Sequence, residues 1–266
     1  NSAVPADPVF QQRMQARTSL SETITGTSLT TSTCTLDAQG ALTKITSGTC
    51  SIQYLRPLDL VYKQISYTHS FSILKATPSF SLWTLPSKNF GDPSFTLDTP
   101  TIISLSPGSF IYTSETTSVI TVSGNTASIV GTGATRIRAL YIPSNSSLWE
   151  TSTLFASITV SASSRSISFA TTTYSKTYGD ASFTIDSATI SAGSNDGSLS
   201  YAATGGVCSI NSSRVVTISA AGTCSITATI SAGTNYQAAT SNTVTVTIAR
   251  KTLSISAASI ASKVYD

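Results

Sequence analysis

The sequence predicts an all-β protein built as tandem β-sandwich modules of about 87 residues. Three observations carry that prediction. Short runs of β-branched residues alternate strictly between apolar and polar positions. Gly, Pro, Asn and Asp interrupt these runs about every 8–12 residues, the punctuation of a sandwich or barrel. A phrase read as "KNFGDPSF" at 88–95 returns as "KTYGDASF" at 176–183, with partial versions "PADPVF" at 5–10 and "SKVYD" at 262–266.

Taken in chain order, the first segment is the least regular. "PVFQQRMQARTSL" (8–20) is the one stretch compatible with a helix, and a strand with a decorated loop is its alternative. Beyond it the strand pattern dominates. "VITVSG" (119–124), "SITVSAS" (157–163), "VVTISA" (215–220) and "SITATI" (225–230) each have a period of two. In "NTVTVTI" (242–248), Val244, Val246 and Ile248 fall on one face with Thr between them. Such residues lose χ1 freedom in a helix and pack well on a pleated surface.

The recurring phrase sets a ruler. Asp7 and Asp92 are 85 residues apart, Asp92 and Asp180 are 88, and Tyr178 and Tyr265 are 87. Phe10, Phe95 and Phe183 keep step. Tyr62 and Tyr236 lie two periods apart, with Leu148 between them. "GTCSI" at 48–52 returns at 222–226, and the intervening copy has "GATRI" at 133–137. A period of this size means repeated modules rather than one large domain. About 87 residues accommodates seven short strands, the size of an immunoglobulin-like sandwich. The expected division is 1–74 as a copy lacking its first strand, 75–162 and 163–249 as complete copies, and 250–266 as the first strand of a further copy. "TPSFSLW" (77–83), "SRSISFA" (164–170) and "RKTLSIS" (250–256) are the expected first strands. A chain that starts and stops inside its own phrase is expected to be a piece of something longer, or a processed product.

The phrase reads as a turn signature. The aromatic residue, Phe90 or Tyr178, is expected to anchor in the core. Gly91 or Gly179 permits a positive φ, and Asp92 or Asp180 can accept hydrogen bonds from nearby backbone N–H groups. Asp7 and Tyr265 mark the same signature near the two chain ends.

Three stretches carry a resemblance. "KTYGDASF", then "GTCSITATISAGTNYQAA" and "TVTVTIARK", resemble bacterial immunoglobulin-like repeats of the type named for their YGD-like phrase. "ASKVYD" resembles the opening of a sister repeat. The similarity is closest across 163–266, lower across 75–162 and lowest across 1–74. It implies an immunoglobulin-like fold and a place in large secreted or surface-attached, adhesin-like bacterial proteins. It implies no ligand.

Cys34 and Cys50 are 16 residues apart, as are Cys208 and Cys224, and both pairs sit at matching places in their copies. In the middle copy the matching positions fall near Ile120 and Thr135, so both cysteines are missing together. That joint presence and absence favours disulfides, with reduced buried thiols or a metal site as alternatives. Closing a loop of this length stabilises a module by ~3 kcal/mol. Disulfides would place the chain in an oxidising, extracellular or cell-surface setting.

Composition narrows the chemistry. The 266 residues include only 10% charged residues with net charge +3. Lys and Arg are scattered singly, so no basic stripe suits nucleic acid. No apolar run reaches ~18 residues, so no membrane insertion is expected in this segment. The 12 carboxylates are mostly isolated in turns, and the single His69 is not repeated. Together with the absence of elbow, P-loop or zinc motifs, this argues against an enzyme, a metal or a cofactor. "SNDGS" (194–198) is the nearest approach to a calcium loop, with a polar hairpin as its alternative. Lys88 and Lys176 recur, but no repeated Asn and acidic partner supports an isopeptide bond.

The expected function is therefore structural: a stalk, adhesive fibre or surface coat whose partners are neighbouring repeats of the same or identical chains. Two alternatives remain. Trp83 and Trp149, both in the middle copy, read first as core packing; if exposed, they would make a glycan or surface-protein contact, which a glycan array would reveal. Alternatively, residues 250–266 would donate a strand to a neighbour lacking one and so build a filament.

Overall fold

The computed structural model describes residues 4–5, 15–17, 23–104, 106–257 and 262. Every regular element among them is a strand, and the chain is an all-β, immunoglobulin-like sandwich protein. It forms two compact units. The first comprises Asn1–Ser87, Pro93–Val130 and Ala134–Thr159, and the second Lys88–Asp92, Gly131–Gly133 and Val160–Asp266.

In the first unit, one sheet has the order Val4–Pro5, Ile65–Leu74, Gly48–Arg56, Thr23–Ser28, Gln15–Arg17. Its first pair is parallel and the next two are antiparallel. The small hairpin of Cys34–Leu36 and Leu42–Lys44 is tied to that sheet by a disulfide from Cys34 to Cys50, whose Cα atoms are 5.7 Å apart. Further along, Gly108–Ser114, Gly133–Pro143 and Ser152–Ser161 are successive neighbours in a second sheet. Ile120–Ser123, Thr126–Ile129 and Phe95–Thr96 make the opposing one.

No disulfide joins the Gly133–Pro143 strand to the Ile120–Ser123 hairpin. Instead, Ile120 and Thr135, at the places matching the two cysteines, are both buried. The Thr135 hydroxyl accepts a hydrogen bond from the Thr116 N–H at 3.1 Å. Aromatic packing fills the rest. Tyr141 lies 5.2 Å from both Phe80 and Phe110, and Trp83 lies 5.8 Å from Tyr112. The Tyr141 hydroxyl donates to the Ser106 carbonyl at 2.8 Å, which satisfies the polar end of a fully buried ring.

The second unit uses the same order. Thr173–Thr177 runs parallel to Val244–Ala249, followed by Gly222–Ile230 and Leu199–Thr204, both antiparallel. Phe183–Thr184, Val215–Ile218 and Cys208–Ile210 oppose them. Cys208 bonds to Cys224 with Cα atoms 5.9 Å apart. The "NTVTVTI" alternation buries Val244, Val246 and Ile248 against Ile167, Phe169 and Ile226.

Three central strands, Gly48–Arg56, Gly133–Pro143 and Gly222–Ile230, open on a glycine with φ of 138°, 130° and 145°. Only glycine adopts that backbone without strain. Alternate residues after it point inward: Cys50, Ile52 and Tyr54, then Thr135, Ile137 and Ala139, then Cys224, Ile226 and Ala228.

The turn phrase behaves as a backbone device. Gly91 and Gly179 have φ of 89° and 95°. Asp92 accepts from the Asn89 N–H and Asp180 from the Thr177 N–H, each at 2.8 Å. Its aromatic residue does not enter a core, contrary to expectation: Phe90 is half-buried and Tyr178 is exposed. The turn already satisfies its own polar groups, and the backbone N–H of Tyr178 is held by the Ala249 carbonyl at 2.8 Å, so the ring is free to point outward. Asp7 and Tyr265 lie outside the described residues.

Two other expectations change. Gln15–Arg17 is a strand paired with Thr23–Thr25, so the helix suggested for 8–20 does not form there; a neighbouring strand outweighs local propensity. The rest of 8–20 lies outside the described residues, apart from those three. Residues 251–257 form no strand. Ile167–Ser168 becomes one by pairing with Thr189–Ile190, and 251–257 has no such pairing among the described residues. His69 is mid-strand, 5.9 Å from Phe71.

Candidate functional site

The densest polar geometry among the described residues holds an aromatic loop in place. In the second unit, residues 234–236 form a loop whose backbone is bound from one side chain. The Asp196 carboxylate accepts from the N–H groups of Thr234, Asn235 and Tyr236 at 2.7, 2.8 and 2.9 Å. Hydrogen bonds from the Asn235 amide lead in holding its pKa below the ordinary 3.8, with partial desolvation opposing. This carboxylate is engaged by backbone donors, and "SNDGS" is a turn whose flanking strands, Thr189–Ile190 and Leu199–Thr204, pair with other strands rather than with each other. No group of three His, Cys, Asp or Glu among the described residues is placed to hold a metal.

Arg165 lies beneath this loop, buried. Its Nε donates to the Gln237 carbonyl at 2.9 Å, Nη1 to the Gly193 and Asp196 carbonyls at 2.6 Å each, and Nη2 to the Ser231 carbonyl. Its guanidinium also lies 5.7 Å from the Tyr236 ring. One planar fork thus binds four carbonyls from three segments. Arg165 is absent from the sequence-based site because it does not recur: the residue one period earlier is Pro78. A signal was present nonetheless. In "SRSISFA", Arg165 is in phase with Ile167 and Phe169, so alternation assigns it to the buried face, as observed.

The loop so held is an aromatic seat. Ser163 and Tyr236 form a parallel bridge, with Ser163 N–H donating to the Asn235 carbonyl at 3.0 Å and Gln237 N–H to the Ser163 carbonyl at 2.9 Å. The Tyr236 ring meets Phe90 edge-on at 5.6 Å. Thr132 Oγ1 donates to the Thr234 carbonyl at 2.7 Å, and Thr132 N–H donates to Asn235 Oδ1 at 3.2 Å.

The first unit contains the same arrangement one period earlier. Ala76 and Trp149 form a parallel bridge; Ala76 N–H donates to the Leu148 carbonyl at 2.8 Å and Glu150 N–H to the Ala76 carbonyl at 2.9 Å. Ser47 N–H donates to the Ser147 carbonyl at 2.9 Å. Leu148 and Trp149 belong to the buried cluster that includes Cys34, Leu42 and Cys50.

Trp83 and Trp149 are only 7% and 6% exposed, so both pack in cores, the favoured reading of the sequence, and neither presents the open platform that glycan stacking needs. Trp83 Nε1 donates to the Asp98 carbonyl at 3.0 Å, and its ring belongs to the aromatic core. Tryptophan buries more apolar surface than any other side chain, and here packing claims that surface.

The Asp196 geometry predicts a pH response. Its folded pKa is depressed, so its contribution is present above the ordinary carboxylate range and lost as pH falls through the folded value. Asp196→Asn is expected to lower the melting temperature at neutral pH, and the gap to wild type should narrow as acid protonates the wild-type carboxylate. Melting curves from neutral pH to about pH 2 check this; a gap that stays constant with pH refutes it.

No family model matches the chain. No curated protein matches it either. Solved structures similar to it include Drosophila N-cadherin EC1-3, at 10% identity and TM-score 0.32, covering 94% of this chain and 97% of that one. Drosophila N-cadherin EC1-4 is similar at 11% identity and TM-score 0.32; 85% of this chain is covered, and it spans 64% of that one. Domains 4 and 5 of the S-layer protein SbsC are similar at 15% identity and TM-score 0.25, over 56% of this chain and 80% of that one.

Proposed function

We propose that this chain is a non-catalytic structural repeat region of an extracellular or cell-surface bacterial protein, acting as a spacer or fibre. The reading divides it into the copies 1–74, 75–162 and 163–249, with 250–266 opening another. The observation that carries it is the recurrence of the aromatic seat. The bridges Ala76–Trp149 and Ser163–Tyr236 are 87 residues apart at both ends, with matching backbone hydrogen bonds. A module copied in tandem repeats its internal contacts at the module's period, and this recurring bridge does that. The two disulfides support the extracytoplasmic location. The resemblance to YGD-phrase repeats supports the bacterial surface context.

Force-induced unfolding of the full chain tests the reading. Separate steps are expected, each releasing about 310 Å for a copy of about 87 residues at ~3.6 Å per residue. Copies with an intact disulfide should release roughly 55–60 Å less, because the loop stays closed. A reducing agent should abolish that difference and leave the cysteine-free copy unchanged. A single cooperative event without these increments would refute the repeat reading.

A further inference from the structure

The two seats are gripped by different chemistry. At the Tyr236 seat the grip is polar. Arg165 and Asp196 fix residues 234–236, and Thr132, the residue before Gly133, reaches the same loop. At the Trp149 seat the counterpart of Thr132 is Ser47, the residue before Gly48, whose N–H donates to the Ser147 carbonyl at 2.9 Å. Pro78, one period before Arg165, offers no fork of donors. Ser47 instead lies inside the loop that Cys34 and Cys50 close. So does Leu42, which shares one buried cluster with Leu148 and Trp149. Both cysteines belong to that cluster and both are 0% exposed.

The second disulfide is not placed this way. The cluster around Cys208 and Cys224 runs from Ile167 to Ile248 and stays within one copy. Among the described residues, the hydrogen bonds of the loop that it closes reach no residue outside that copy. The middle copy, which supplies Thr132 to the Tyr236 seat, contains no cysteine.

We propose that the Cys34–Cys50 disulfide is a redox lock on the Trp149 seat: closed, it holds Ser147–Trp149 in place, and its reduction opens that seat while the Tyr236 seat stays shut. The reductant is a dithiol. Its thiolate attacks one sulfur of the pair, the S–S bond breaks, and the other cysteine leaves as a thiolate that takes up a proton. The second thiolate of the dithiol then displaces the cysteine held in the mixed disulfide. Two electrons have passed to the protein, and the dithiol departs as a disulfide. Residues 35–49 lose their closure, and Ser47 and Leu42 lose the order that it imposed. By linkage the coupling runs both ways: a filled seat favours the oxidised pair, and the reduced pair favours an open seat. The proposal rests on the repeat reading of the preceding subsection only for the correspondence between the two seats.

Redox titration of the full chain against mixtures of reduced and oxidised dithiothreitol tests it, with thiols trapped by alkylation and located by mass spectrometry. Trp149→Ala should shift the Cys34–Cys50 equilibrium toward the reduced form by about tenfold, and that of Cys208–Cys224 by less than about twofold. Ile137→Ala is a buried change in the same unit but outside the cluster of the seat, and should leave Cys34–Cys50 within about twofold of wild type. Hydrogen exchange reads the reverse direction and needs no variant, so it decides the matter if a variant fails to fold. In the reduced wild-type chain, exchange at Ala76 and Glu150, whose N–H groups close the Trp149 bridge, should quicken at least about tenfold. Exchange at Ser163 and Gln237, which close the Tyr236 bridge, and along Gly133–Pro143 should stay within about twofold. An unshifted titration in Trp149→Ala, an equal shift in Ile137→Ala, or unchanged exchange at Ala76 and Glu150 overturns the proposal. So does quickened exchange at Ser163 and Gln237 or along Gly133–Pro143, since the opening would not then be confined to one seat. None of these readouts uses the force-unfolding increments, so failure of the lock and failure of the repeat reading are separable.

Discussion

Trp149→Ala should lower the unfolding free energy of the first unit by about 3–5 kcal/mol, the range for deleting a buried tryptophan from a packed site. Urea unfolding followed by far-UV circular dichroism measures it. The size follows from position. Trp149 is 6% exposed and shares a buried cluster with Cys34, Leu42, Cys50, Ile52 and Phe71. Its backbone neighbours, Leu148 and Glu150, bond to Ala76 at 2.8 and 2.9 Å, and those bonds do not depend on the side chain. The loop therefore has reason to stay in place, and the indole leaves a cavity rather than a collapsed gap. Trp149→Tyr separates this account from a generic core loss. Tyr is the residue at the corresponding positions 62 and 236, so it should cost less than about half of the alanine change. An alanine effect below about 1 kcal/mol would mean that Trp149 is not an anchor.

That anchor was legible in the sequence only in part. The grid marked Tyr62, Leu148 and Tyr236, and alternation assigned Val244, Val246 and Ile248 to a core that buries them. The strand-opening glycines were visible as "GTCSI" and "GATRI", because a positive φ restricts the choice of residue. The cysteine pairs were visible because covalent partners are gained and lost together. Core packing is the favoured sequence reading of Trp149, but the seat it fills was not legible: a rare aromatic within a Ser-rich loop carries no mark of its partner, and local periodicity has no information about contacts tens of residues away. Tyr178 was misplaced for a related reason. An aromatic residue beside a Gly-Asp turn is apolar enough for a core, yet its ring is free once the turn satisfies its own backbone. The unpaired state of 251–257 shows the same limit: strand propensity is local, but a strand exists only with its partner.

Arg165 is the clearest case of non-local information, and removing it should have the second large effect. Arg165→Met keeps much of the buried aliphatic stem but deletes a charged fork that binds the carbonyls of Gln237, Gly193, Asp196 and Ser231. A hydrogen bond to a charged group contributes about 1.5–3 kcal/mol, and a buried acceptor left without a donor carries its own penalty of about 1–3 kcal/mol. Water entering the loop recovers some of this, so a net loss of at least about 3 kcal/mol is expected for the second unit. Arg165→Lys should lose most of the same stability. A lysine retains the charge, but its single ammonium cannot span four carbonyls that are arranged for a planar group. The damage should also be local in a measurable way. Hydrogen exchange should speed up at Thr234, Asn235 and Tyr236, whose N–H groups Asp196 holds above the guanidinium, before it speeds up in Val244–Ala249. If Arg165→Lys proves as stable as wild type, the charge alone suffices and the four-carbonyl geometry is not what fixes the seat.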